Sequence, residues 1–191
     1  MIGTALILLS ARLLQPSDGP RLQDLPGKHA TARTVVLDTE VACTPAQSYA
    51  MWSTDAGARF FAPASHIDPH AGGRYTVMFF PAEDPDGLVH GTAGAHLLAA
   101  DPGRFIAFEW IVFAGANNKG DNAPPYAPAA QRLPDPLPTW VEIGFAPTAT
   151  GTHVAFRHYG FDEGDLWGRS HAWFSRAWGG VLQAMKAACA G

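Results

Sequence analysis

Charge is scarce in this chain of 191 residues, and basic charge most of all. Charged side chains make up 16% of it, the formal net charge is −4, and the arginines are scattered singly among only three lysines, Lys28, Lys119 and Lys186. A nucleic-acid partner calls for a basic surplus or stripe, so that class is excluded. Cysteine is also scarce. Cys43 and Cys189 are too few for a disulfide framework and sit in no metal-ligand or CxxC spacing. Their surroundings are apolar, so they read as buried thiols, with a bridge between them as the lesser alternative. Long apolar runs are lacking too. Ile2–Leu9 is too short to cross a bilayer, and no membrane span is expected. That run has no basic flank, and Leu9-Ser10-Ala11 makes a poor cleavage site for an export signal. Residues 1–30, with Pro16, Gly19, Pro20, Pro26 and Gly27, are expected to be a tail or a degenerate signal segment. Residues 31–191 then form one domain, and the compartment stays open between exported (periplasmic) and cytoplasmic. There is no Gly-rich phosphate loop and no GxSxG elbow.

Apolar residues are plentiful, at 47%, which makes the chain globular rather than disordered. Their periodicity predicts the elements. Arg33 to Cys43 alternates as a strand. Thr44-Pro45 is an N-cap followed by proline at the first helical position, opening a short helix through Trp52 with Tyr49 and Trp52 on one side. A second short helix is expected over Asp55–Phe61, and a short strand over Ser65–Asp68. Further strands are expected at Arg74–Phe80, Leu88–Leu98, Arg104–Phe113, Thr139–Ala146 and Thr152–Tyr159. From Gly164 to Ala190 the chain reads as one long helix, with Trp173/Phe174, Ala177/Trp178, Val181/Leu182 and Met185 stepping by three and four along one face. Asp162, Glu163 and Asp165 stand at its start and Lys186 near its end, as the helix dipole favours. Gly179 and Gly180 interrupt it, which implies a close approach of another backbone there or a bend. The aperiodic stretch Ala114–Pro138 is expected to be a mobile loop over the site, with Tyr126 as its contact.

The predicted class is α+β, with two short helices after the first strand and a curved antiparallel sheet of about seven strands wrapped around the long C-terminal helix. A sheet gripping a helix leaves room for a small apolar ligand. The order and spacing of several pieces now carry a resemblance: Thr44-Pro45-Ala46 leading to Met51-Trp52-Ser53-Thr54, Gly72-Gly73-Arg74-Tyr75, Gly91-Thr92, Asp101-Pro102 before Ile106-Ala107-Phe108-Glu109-Trp110, Gly151-Thr152, His158-Tyr159-Gly160, and Trp173 through Trp178-Gly179 to Leu182. From about Thr34 to Ala188 the chain resembles the helix-grip fold of the START and birch-pollen-allergen (SRPBCC) superfamily. Within it, the chain is similar to the group homologous to the C-terminal domain of the activator of heat-shock-protein-90 ATPase. The long loop after the Trp110 strand resembles exported bacterial members. The resemblance implies a cavity between sheet and helix, and it leaves binder, lyase or cyclase-type enzyme, and chaperone-associated module all open.

On the strand faces turned toward the helix stand Tyr75, Val77, Phe79, Phe108, Trp110, Ile143, Phe145, Phe156 and His158, and from the helix come Phe174 and Trp178. These are the expected lining of the ligand site, with Trp110 and Trp178 facing each other. His158 is the one titratable group placed there, a candidate proton carrier that more often acts as a hydrogen-bonded core residue. His90 and His96 share a face of the strand expected over Leu88–Leu98, and His171 is assigned to the helix surface. Glu109 and Glu142 fall on the opposite sheet face, suited to pairing with Arg157 or Arg104. His66-x-Asp68-x-His70 could hold a metal, but Pro69 disturbs the strand geometry that would align it, so neither a metal nor a cofactor is expected. The expected function is binding of a small hydrophobic molecule without catalysis.

Overall fold

A computed structural model describes residues 33–88, 90–110, 139–161 and 165–191. Strand β1 (Arg33–Val41) buries Val35 and Val41 and turns Val36, Asp38 and Glu40 outward, as its alternation requires. Helix α1 (Pro45–Ser53) opens on a capping box: the Gln47 N–H donates to the Thr44 hydroxyl at 3.3 Å, and the Thr44 N–H donates to Gln47 Oε1 at 2.9 Å. Thr54 ends α1 and starts α2 (Asp55–Ala58), its hydroxyl accepting from the Gly57 N–H at 3.0 Å and donating to Ala50 O at 2.8 Å. Helix α2 is shorter than predicted. Phe60 and Phe61 leave it and place their rings 5.2 Å from that of Trp52.

Strands β2 (Ala64–Ile67) and β3 (Tyr75–Met78) pair with each other. Strands β4 (Leu97–Asp101), β5 (Phe105–Glu109), β6 (Trp140–Pro147) and β7 (Thr152–Phe161) join β1 in an antiparallel sheet of order β1-β7-β6-β5-β4. The expected seven strands are thus divided into five and two, with the bridge Arg74↔His96 linking the residues just before β3 and β4, and Met78↔Gly91 tying β3 to the segment ahead of β4.

The strand predicted over Leu88–Leu98 forms only from Leu97 onward. Asp84 folds the segment before it, because its two carboxylate oxygens accept from the N–H groups of Leu88 (2.9 Å) and His90 (2.6 Å). Gly94 sits at φ 87, which no strand residue adopts. The backbone bonds to β3 are interrupted here, and the Thr92 hydroxyl accepts from the Val77 N–H at 2.9 Å and donates to Tyr75 O at 2.8 Å. Gly91 passes so close to β3 that a Cβ there would lie 2.3 Å from Val77 O. His90 and His96 consequently do not share a strand face. His90 packs edge-on to Phe80 with ring centroids 5.2 Å apart, and His96 pairs with Glu109 at 3.1 Å.

Helix α3 (Asp165–Cys189) lies along β1 and β7 with Ser170, Phe174, Trp178, Leu182 and Met185 buried. It runs parallel to β1. Near its start a Cβ on Gly168 would come within 2.8 Å of Arg33 Nη1, and its last residue, Cys189, is disulfide-bonded to Cys43 just past the end of β1. The lengths agree: the helix from Gly168 to Cys189 rises about 32 Å, and the extended chain from Arg33 to Cys43 spans about 33 Å. The bridge corrects the reading of both cysteines as buried thiols. They are 146 residues apart in sequence, and the parallel run of α3 on β1 brings their Cα atoms to 5.1 Å. No close approach occurs at Gly179 or Gly180, since a Cβ at either would meet nothing within 4 Å, and the close approach falls at Gly168 instead. The expected tail over 1–30, the loop over Ala114–Pro138 and the acidic start of the helix at Asp162 and Glu163 lie outside the described residues.

Candidate functional site

The buried cluster between sheet and helix draws on most elements of the fold. Alternation along β3, β5, β6 and β7 turns Tyr75 and Val77, Phe108, Ile143 and Phe145, and Phe156 and His158 to one face. Just past β5, the Trp110 N–H donates to Thr139 O at 3.1 Å, which extends the β5–β6 pairing and fixes Trp110 on the same face. Phe174 and Trp178 stand four residues apart on the facing stripe of α3 and complete the set, and Phe79 packs at the margin, half-buried. All the residues read from the sequence as one surface are therefore together. Trp110 and Trp178 do face each other, edge to face, with ring centroids 4.6 Å apart. Phe156 lies 4.7 Å from Trp178, and Tyr75 stacks on Phe108 at 3.9 Å.

Trp52 of α1 is the principal member that the sequence reading left out of the site. It is fully buried, with ring centroids 6.0 Å from Phe156, 6.2 Å from Trp178 and 6.3 Å from Phe108. Its carbonyl accepts from the Tyr75 hydroxyl at 3.0 Å. The signal was its three-residue step from Tyr49 on α1, which marks a buried face without saying what it packs on. Burial of Tyr75 pushes its hydroxyl well above its ordinary range, so it stays protonated and tied to that carbonyl.

His158 is the fully buried histidine of this cluster among the described residues. It is fully buried against Phe161, Phe174 and Trp178, with ring centroids at 4.6, 5.1 and 6.0 Å. The Trp178 indole N–H donates to His158 Nδ1 at 3.0 Å. An indole nitrogen can only donate, so Nδ1 carries no proton and the neutral imidazole holds its proton on Nε2. Desolvation, with a smaller contribution from His171, holds the His158 pKa well below its ordinary value, so the ring is neutral at physiological pH. Among the described residues His158 Nε2 has no hydrogen-bond partner, and neither has Trp52 Nε1. His171 is not the surface residue expected, but is half-buried and edge-on to Phe161 at 5.3 Å.

The remaining candidates lie away from this cluster. Asp68 and His70 form an exposed pair at 2.6 Å, His66 is exposed on β2, and among the described residues no three His, Cys, Asp or Glu side chains gather as a metal set. Glu109 and Glu142 are on the other sheet face, as expected. Glu109 meets His96, Glu142 accepts from the Trp140 indole at 3.1 Å, Arg157 bonds Asp38 and Arg104 pairs with Asp101. That face carries a second cluster missed in the sequence, where Trp140 is fully buried and stacks on Tyr159 at 5.1 Å.

Residues 42–190 match the family model described as activator of Hsp90 ATPase homolog 1-like protein. Among solved structures, a Mesorhizobium loti protein superposes with a TM-score of 0.58 at 16% identity, over 81% of this chain and 94% of its own. The AHSA1-like protein of Rhizobium etli gives 0.56 at 18% identity, over 83% and 82%. The Aha1 dimer of Colwellia psychrerythraea gives 0.53 at 14% identity, over 82% and 95%. At these identities the likeness is one of fold. No curated protein matches the sequence.

Proposed function

The chain belongs to the activator of Hsp90 ATPase homolog 1-like family of the SRPBCC superfamily, and from that premise we propose that it binds a small apolar molecule between the sheet and α3 without converting it. Membership supports a ligand-binding or activator-like module. The observation that favours binding of an apolar molecule is the makeup of the cluster: large aromatic side chains from separate elements meet on one buried surface, and His158, the fully buried histidine among the described residues, is held neutral. Catalysis by proton transfer needs a carrier and a second group to orient it or to stabilise developing charge. Here Tyr75 is bound to a backbone carbonyl, and His158 Nδ1 is occupied by Trp178.

Trp110 and Trp178 are in contact, so an occupant must part them. Binding then changes their fluorescence. Native mass spectrometry of protein purified from its own source is expected to show a co-purifying small molecule. A bare chain mass, together with unchanged tryptophan emission across a panel of apolar compounds, would remove this reading. The lyase or cyclase alternative keeps His158 as proton carrier. It is favoured if a bound compound is turned over and the turnover, but not the binding, disappears in His158→Ala. The chaperone-associated alternative would place the chain in the cytosol. The Cys43–Cys189 bridge favours an oxidising compartment, and with it the exported, periplasmic location.

A further inference from the structure

The bond from Trp178 fixes which nitrogen of His158 carries the proton, and so which way the ring can act toward an occupant. With Nδ1 accepting from the indole at 3.0 Å, Nε2–H is a fully buried donor that finds no partner among the described residues. A buried N–H without an acceptor is destabilising, and native cores rarely leave one. The Trp52 indole N–H is a second fully buried donor without a partner, and its ring also lies against Trp178, with centroids 6.2 Å apart. The orphaned atoms of both rings are donors, and the chemistry that satisfies a donor is an acceptor lone pair. The surroundings set a second condition. The rings near His158 are those of Phe161, Phe174 and Trp178, and among the described residues the titratable group whose charge acts on it is the half-buried His171. Among the described residues no cation is recorded against the His158 ring to compensate a buried anion, so a carboxylate or phosphate would be costly.

Resting on the binding reading above, we propose that the occupant is an uncharged apolar molecule carrying a hydrogen-bond acceptor oxygen, such as a ketone, ester or ether, and that His158 Nε2–H donates to that oxygen. The acceptor fixes the orientation of the molecule and the aromatic rings take its hydrocarbon part. The site then prefers a carbonyl compound to the hydrocarbon of the same shape.

The test uses the full chain and matched pairs, from acetophenone with ethylbenzene up to benzophenone with diphenylmethane. Affinities are read from tryptophan fluorescence, and the histidine tautomer from long-range proton–nitrogen NMR. Expected are the Nε2–H tautomer in the free protein and a three- to tenfold tighter grip on the ketone of a pair, the worth of one neutral hydrogen bond. A shift of the His158 Nε2–H resonance should accompany the ketone and not the hydrocarbon. His158→Gln, whose amide can donate from the same end, should keep part of the preference, and His158→Phe should lose it while still binding the hydrocarbon. Equal affinity within every pair overturns the acceptor assignment and leaves the apolar-ligand reading standing. A free protein with the proton on Nδ1 also overturns it, without need of any variant. Failure of every pair to bind overturns both.

Discussion

At His158 the side chain's fit to the core sets its response to pH. Burial lowers its pKa in the folded chain, whereas in the unfolded chain it takes the ordinary value of about 6.5. Between those two values the unfolded state binds the extra proton, so protonation favours unfolding. Stability from this group is therefore full above pH about 6.5 and is lost as pH falls below it toward the folded value. One proton gives a slope of at most about 1.4 kcal/mol per pH unit. Denaturant midpoints measured from pH 7.5 to 5 should fall in the native chain, and His158→Phe should remove up to that slope. An unchanged slope in the variant would place the acid sensitivity elsewhere. This ring was legible in the sequence because it alternates with Val154 and Phe156 on one strand. Its tautomer was not legible, because that depends on an indole twenty residues away on another element.

The helix and strands carry consequences of their own. On α3, Gly180 is exposed and a Cβ there would meet nothing, so Gly180→Ala should stabilise the chain by roughly 1 kcal/mol, the difference in helix propensity. Gly168→Ala places its methyl group against the Arg33 guanidinium and should lose most of that gain or reverse it. Thermal melts of the two variants separate these outcomes. Equal gains would mean that α3 does not seat on the start of β1. Trp178 is the aromatic hinge of the interface, touching Trp52, Trp110, Phe156 and Phe174 and bonding His158. Trp178→Ala or Trp110→Ala should each cost about 3–5 kcal/mol in chemical denaturation, and losses below about 1 kcal/mol in both would be incompatible with this packing. Elements governed by side-chain period were readable: the strands over Trp140–Pro147 and Thr152–Phe161 and the stripe from Phe174 to Met185 follow directly from alternation and helical spacing. The strand expected over Leu88–Leu98 was not, because the Asp84 carboxylate and the Thr92 hydroxyl take hydrogen bonds that a ladder would otherwise make, and period alone does not report side-chain bonds to backbone.

For the whole molecule, the Cys43–Cys189 bridge ties one end of the described fold to the other, and no local pattern announces it. Each cysteine has ordinary apolar neighbours in sequence, and only the parallel course of α3 along β1 brings the two together. A link enclosing 146 residues restricts the unfolded chain severely. Loop-closure entropy for that length gives about 5 kcal/mol at most, comparable with the entire stability of many domains. The same clamp holds the far end of α3 to the sheet, while Trp178 and its neighbours hold the middle, so on the binding reading proposed above the bridge limits how far the helix can part from β1. Cys43→Ser with Cys189→Ser should therefore lower the denaturant midpoint by an amount equivalent to 2–5 kcal/mol. The double variant should also exchange apolar compounds faster than the native chain, measured by stopped-flow tryptophan fluorescence. Thiol titration of denatured protein from its own source should find no free thiol. Two free thiols, together with an unchanged midpoint in the serine variant, would show that the bridge does not form in the cell. The argument for an oxidising compartment would fall with it, and the chain would again be open to cytosolic partners, including the chaperone-associated role that its family membership keeps in view.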